Sequence, residues 1–233
     1  MTPRERLLCV LKGGVPDCVP VAPDFSNMIP ARLTGKPFWD LYLYNDPPIW
    51  EAYIECAKRF GIDSLMDGYF PLTFPEEMSG NGAEWERAIV FRNDERIVVQ
   101  ASRLENGKRV WQDRVTVYYV ADPPTGRVVP GKIGLPPVPE KWEPLEGVKP
   151  VDRGPEGLKR LYGKDIVLKG NLHTTKLLLH GRPEDVVAAS RKAIDDAAEG
   201  GGFILSTGDQ CGRDTPDENL QAMIETARSY GKY

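Results

Sequence analysis

Seven polar side chains stand just beyond short apolar runs, where the ends of neighbouring strands would bring them together. Asp24 follows the run 18–22, Asp67 and Tyr69 follow 63–66, Asn171 and His173 follow 165–169, and Asp209 and Cys211 follow 203–206. Thr207 stands at the last of these ends. A lone Asp after a strand is most often a turn former or a helix cap. Convergence of several changes the chemistry, because carboxylates sharing a dry site drive each other's pKa values apart, which suits acid–base work. Asp67, Asp209 and His173 are therefore the candidates for handling a proton. Asp24, Tyr69, Asn171, Thr207 and Cys211 are the candidates for holding a substrate. Metal chemistry is not expected. A catalytic zinc needs three protein ligands and an open position, and the two histidines, His173 and His180, stand seven apart across a strand-to-helix connection with no complete set around them. No phosphate loop, dinucleotide fingerprint or serine-hydrolase elbow is present. The triple glycine 200–202 precedes a strand, which is the wrong place for a phosphate loop; close backbone packing explains it.

These residues need four strands to position them: 18–22, 63–66, 165–169 and 203–206. The last is a short apolar run behind three glycines, the pattern of a strand buried on both faces. After it, Thr215, Pro216 and Glu218 spell a capping box, and Leu220, Met223, Ile224 and Ala227 form a helical stripe. Residues 2–12 open the chain with the same signature: Thr2 as cap, Pro3 in the first turn, Glu5 closing the box. Asp46 and Pro47-Pro48 open another helix with the stripe Ile49, Tyr53, Ile54, Ala57 and Phe60, and Gly61 stops it. Helices are also expected over 155–162 and 183–199. Residues 86–120 alternate apolar and polar, with turn signals at Asn93-Asp94 and Asn106-Gly107, so they read as an antiparallel meander of three or four strands. Prolines cluster through 123–155, read as a connection with little regular structure.

With 41% hydrophobic and 27% charged residues, the composition is that of an ordered globular protein. A net charge of −4 gives no attraction for nucleic acid or an anionic membrane, and no apolar run is long enough to span a bilayer. The N-terminal segment is a capped, charged helix rather than a secretory signal. Four cysteines without C-x-x-C spacing imply reduced thiols and a cytoplasmic location.

Several of these features occur together in one known family. Gly200–Gly208 (GGGFILSTG), Asp214-Thr215-Pro216 with Asp217-Glu218-Asn219, and the ending Ala222-Met223, Glu225-Thr226-Ala227-Arg228 and Tyr230-Gly231 resemble the C-terminal end of the uroporphyrinogen decarboxylase superfamily. That superfamily includes the corrinoid-dependent methyltransferases. The resemblance extends through Leu168–Leu172, the helix start at Gly181–Val186, the N-terminal Thr2–Leu7 and Pro16–Val21. It implies an α/β fold, a (β/α)8 TIM-type barrel with its active site at the strand ends. The chain would be one abbreviated domain over 1–233. Its parts would be N-terminal barrel units at 1–85, an antiparallel insertion at 86–122, the Pro-rich connection at 123–155 and C-terminal units at 156–233.

Eight strands take roughly 250 residues, and only four are legible here. Where the family carries a long central block, this chain has about fifteen residues before Asp165. A partial barrel exposes two sheet edges, so the meander or a second subunit is expected to cover one.

The resemblance implies a methyltransferase-like function on a small methylated compound or a corrinoid partner protein. A decarboxylase-type lyase on a smaller carboxylate is the alternative, and a non-catalytic binding or assembly subunit the third reading. At position 209 the resemblance implies His in the decarboxylases and often a zinc-ligating Cys in the methyltransferases; here it is Asp209. The family's arginine-rich loop after the first strand is replaced by Asp24-Phe25-Ser26-Asn27-Met28 with Arg32 nearby. Uroporphyrinogen itself is not expected as the substrate, because its carboxylates demand paired arginines. The cofactor is left open, with a corrinoid carried by a partner as the one candidate, and a homo-oligomer is expected.

Overall fold

The structure, a computed structural model, describes residues 1–64, 85–129 and 154–233. Asp67 and Tyr69, and 130–153 of the Pro-rich connection, lie outside the described residues. In chain order the elements are α1 (Pro3–Leu11), α2 (Met28–Leu33), α3 (Phe38–Tyr42), α4 (Ile49–Phe60), β1 (Glu86–Arg92), β2 (Arg96–Glu105), β3 (Lys108–Tyr119) and β4 (Thr125–Val128). Then come α5 (Gly154–Tyr162), β5 (Leu168–Leu172), a π-helical turn (Thr174–Leu179), α6 (Pro183–Ala197), β6 (Phe203–Thr207) and α7 (Asp217–Ser229). The described residues fall into two compact units: 1–35, 48–64 and 154–233 form the first, 36–47 and 85–129 the second.

The first unit is built on parallel strand pairing. β5 pairs with β6 from Leu168 opposite Phe203 to Leu172 opposite Thr207. The run 18–22 lies along the other side of β6: Leu205 N–H donates to Pro20 O at 2.9 Å and Ala22 N–H to Leu205 O at 3.0 Å. It forms isolated bridges rather than a full strand, because Pro20 has no N–H to give a ladder. Asp63 N–H then donates to Val21 O at 2.9 Å. The spatial order is thus residue 63, 18–22, β6, β5. The sheet is not closed among the described residues, and a complete barrel is not seen.

β6 is buried at all five positions, as a continuous apolar run between two layers requires. Phe203 and Leu205 join a cluster with Phe60, Val186, Ala197, Leu220 and Met223 from α4, α6 and α7. On the opposite face Ile204 packs with Val10, Ala22 and Leu7, so α1 lies beneath the strands. The stripe Leu220, Met223, Ile224 and Ala227 is buried throughout, as the spacing predicts.

Several local expectations hold. α1 has its capping box, with Glu5 N–H on Thr2 Oγ1 and Thr2 N–H on Glu5 Oε2. α4 stops at Gly61, whose φ of 64° suits a residue without a Cβ. Others are displaced. β5 begins three residues later than expected, at Leu168, and so includes Gly170 and Asn171. Asp46 does not cap α4; Pro48 occupies that position and Asp46 pairs with Lys36 at 2.9 Å. The buried face of α4 is Ala52, Tyr53, Cys56 and Phe60, while Ile54 is exposed.

Thr215 does not cap α7 either. Pro216 is the cap residue, and Thr215 is fully buried with its hydroxyl unpartnered. A buried hydroxyl without a partner costs about 1–3 kcal/mol. Thr215→Val is therefore expected to leave stability unchanged or raise it by about 1 kcal/mol, read as the urea midpoint. A loss of similar size would mean that Thr215 acts as the cap after all.

The strand starts are tied by a buried ionic network. The Asp63 carboxylate, with no exposed side-chain surface, accepts from Arg6 Nη1 and Arg228 Nη1, both at 2.7 Å, and from Val21 N–H at 2.8 Å. Arg6 also grips Asp17 through Nε and Nη2. The Arg6 hydrogen bonds, followed by the bond from the N-terminal ammonium, hold the Asp17 carboxyl well below the usual range.

The second unit is an antiparallel sheet in the order β1-β2-β3-β4. Asn106 and Gly107, with φ of 51° and 78°, form the two-residue turn that pairs Glu105 with Lys108. Its core is Trp39, Ile97, Val99 and Tyr118, with Tyr42 and Leu43 packed against it. β4 falls inside the stretch read from sequence as irregular, where Thr125–Val128 pairs with Arg114–Val117.

Candidate functional site

At the far ends of the same strands the sequence-selected residues divide into a buried group and an exposed one. Asp24 N–H donates to Thr207 Oγ1 at 3.0 Å, and Cys211 N–H donates to Asp24 O at 2.9 Å. Asp24 Oδ1 accepts from Ser26 N–H at 2.8 Å, and Ser26 Oγ donates to Cys211 O at 3.0 Å. Asp24, Thr207 and Cys211 are thus brought together, with Asp24 shaping the turn that carries Ser26 at φ 49°. Cys211 is fully buried. Burial first, then the Asp24 charge, pushes its thiol up to about 12. A thiol so placed stays protonated at neutral pH, which makes it a poor nucleophile. Burial likewise pushes Cys56 up to about 12. In a timed alkylation of the folded chain at pH 8, half-exposed Cys9 is expected to be modified first, with Cys56 and Cys211 protected until unfolding. Early labelling of Cys211 would contradict this burial.

Asn171, His173 and Asp209 are exposed. Asn171 lies within β5 opposite Ser206. His173 is the first residue past β5, and its Nδ1 accepts from the Thr175 and Lys176 N–H groups as cap of the π-helical turn. Gly208 N–H donates to Leu172 O at 2.8 Å, continuing the strand pairing by one residue. That register sets position 173 beside 208, with backbones about 5 Å apart, and Asp209 follows. Asp209 Oδ1 accepts from Gln210 N–H at 2.8 Å. An imidazole and a carboxylate therefore stand on adjacent strand ends, above the buried group.

Sequence reasoning missed three contributors. Ser206 Oγ donates to Ala22 O at 2.7 Å inside the protein, locking 18–22 onto β6. Asn219, read only as part of a helix start, is buried and holds the exit of the π-helical turn. Asp63 is the anchor of the strand starts. An apolar run followed by a serine was the one signal for Ser206; the other two depend on residues distant in sequence. Among the described residues no cluster of His, Cys, Asp and Glu could hold a metal ion.

Residues 150–230, which hold β5, β6 and the exposed trio, match the family model for uroporphyrinogen decarboxylase (URO-D). The match over this stretch supports membership of the uroporphyrinogen decarboxylase superfamily. The chain is also 40% identical over 67 residues to methylcobamide:CoM methyltransferase MtbA of Methanosarcina mazei. It is 39% identical over 67 residues to the protein of that name from Methanosarcina acetivorans. Each match covers 29% of this chain and 19% of the relative, so the chain spans about a fifth of the length of these curated relatives. The superfamily stretch coincides with the more continuous half of the parallel sheet. No helix among the described residues is long and apolar enough to cross a membrane.

Proposed function

We propose that this chain is a methyltransferase-like member of the uroporphyrinogen decarboxylase superfamily, moving a methyl group between a small methylated compound or a corrinoid-bearing partner protein and a small acceptor. The observation that carries the reading is the placement of His173 and Asp209 on adjacent strand ends, inside the stretch matched by the family. The similarity to a methylcobamide:CoM methyltransferase supports the reaction class. In methyl transfer the acceptor's lone pair bonds to the methyl carbon while the donor–carbon bond breaks, and the acceptor's proton must go to a base. Asp209 is the base in this reading, and His173 holds and polarises the small reactant. Asn171 lines the same side. Asp24, Thr207 and Cys211 form the floor; Asp67, as a proton handler, and Tyr69, as a substrate contact, stay in the proposal from the sequence alone. No step passes through zinc.

The fold proposed with it is an abbreviated barrel of the uroporphyrinogen decarboxylase type, one domain over 1–233 with the meander as insertion. The order 63, 18–22, β6, β5 supports it, since these would be neighbouring strands in a barrel of eight. A second copy completes the cleft in this proposal. The four free cysteines fit a cytoplasmic location. A decarboxylase reading gains less support, because Arg32, the arginine nearest the first strand end, is engaged with Asp217 at 2.5 Å. The test is incubation of the purified chain with methylcobalamin and CoM, following loss of methylcobalamin by absorbance. A rate above the protein-free control that falls in Asp209→Asn supports the reading. The absence of any rate overturns it.

A further inference from the structure

The π-helical turn Thr174–Leu179 is held by one side chain at each end. At its start, His173 Nδ1 accepts from the Thr175 and Lys176 N–H groups, each at 3.3 Å. At its exit, Asn219, 1% exposed on α7, donates through Nδ2 to Leu178 O and Gly181 O, both at 2.9 Å. Asn219 Oδ1 is buried without a hydrogen-bond partner. Burying an unpaired acceptor is unfavourable, so the two donated bonds must account for an asparagine at this position. The turn itself is an uncommon geometry that recurs at functional sites.

The start of the turn fixes the chemistry of the imidazole. Nδ1 has one lone pair and cannot accept N–H bonds while carrying a proton, so the neutral ring has its proton on Nε2. Nε2 has no hydrogen-bond partner among the described residues, and the side chain is exposed. The imidazole also occupies the two backbone donors that a ligand could otherwise reach. What the strand end offers a ligand is therefore a side-chain N–H.

We propose that this turn holds His173 as its Nε2–H tautomer, a hydrogen-bond donor to an anionic oxygen of the ligand of the strand-end cleft, and that Asn219 is its positioning residue. Asp209 lies one residue past Gly208 on the adjacent strand end. Together His173 and Asp209 select a ligand bearing both an oxyanion and a group that can lose a proton. The inference rests on the proposed site only for the location of the ligand; the tautomer belongs to the ligand-free chain.

The test is long-range proton–nitrogen NMR on chain labelled with ¹⁵N-histidine at pH 8. There are two histidines, and His180→Gln assigns them. His173 should show a single Nε2–H form, and His180 the tautomer mixture of a free side chain. Asn219→Ala should move His173 to that mixture. Thr175→Pro should do the same by deleting one of the N–H groups on Nδ1, and it leaves α7 intact if Asn219→Ala does not fold. Titration with sodium acetate or inorganic phosphate should shift the Nε2 resonance saturably in the wild type and several-fold less in the variant. A proton on Nδ1, an unchanged tautomer in both folded variants, or no response to either anion would overturn the proposal. Failure of methyl transfer with the tautomer intact would remove only the reaction class.

Discussion

Asp63→Ala is expected to destabilise the chain by about 3–5 kcal/mol, enough to leave a large fraction unfolded at ordinary temperatures. The carboxylate it removes has no exposed surface and meets two guanidinium groups at 2.7 Å. Without it, Arg6 keeps only its bonds to Asp17 and the Met1 carbonyl, and Arg228 keeps the Gly61 carbonyl and a weak contact to Cys18. The Val21 N–H loses its acceptor as well. The desolvation of two cations then stands without compensation. Asp63 joins the N-terminal helix, the first strand run and the last helix, so the loss is cooperative. The measurement is urea unfolding followed by far-ultraviolet circular dichroism. A midpoint within error of the wild type would show that the network is dispensable. Asp17→Ala, at a partly exposed pair, should cost far less.

Asp209→Asn is expected to lower methyl transfer by about a hundredfold or more while leaving the fold intact, because general acid–base groups contribute about 10²–10⁴ in rate. Asp209 is exposed and its one observed bond is local, to Gln210 N–H. The substitution preserves size and that bond, and removes the charge that takes the proton. His173→Ala should also reduce the rate, with an additional loss of about 1 kcal/mol in stability because it strips the cap from the π-helical turn. The two effects separate in the assay: Asp209→Asn should act on kcat, His173→Ala on KM and on the urea midpoint. Full activity in both variants would remove these residues from the mechanism.

What the chain reveals locally, it reveals well. The cap of α1, the stop of α4 at Gly61, the buried run of β6, the stripe of α7 and the turns of the meander all depend on residues within a few positions of each other. The misplacements have long-range causes. β5 starts at Leu168 because its register is fixed by Phe203, thirty-five positions on, and Ile166, which looks like strand, is exposed. Thr215 has the spacing of a cap, yet packing buries it and Pro216 takes the position. Asp63 looks like an ordinary strand-start residue; its arginines lie 57 and 165 positions away, beyond any spacing rule. Among the candidate site residues, Cys211 was read as a substrate contact and is instead part of the core. His173 and Asp209 were found by their position after strands, and that signal carries no information about the tautomer or about Asn219.

The most direct test of the proposal that two half-sheets complete one cleft is native mass spectrometry of the purified chain across micromolar concentrations. The prediction is a dimer or a higher even assembly, whose dissociation by dilution abolishes methyl transfer. A monomer at every concentration would contradict it, with β5 left at the edge of the parallel pairing among the described residues.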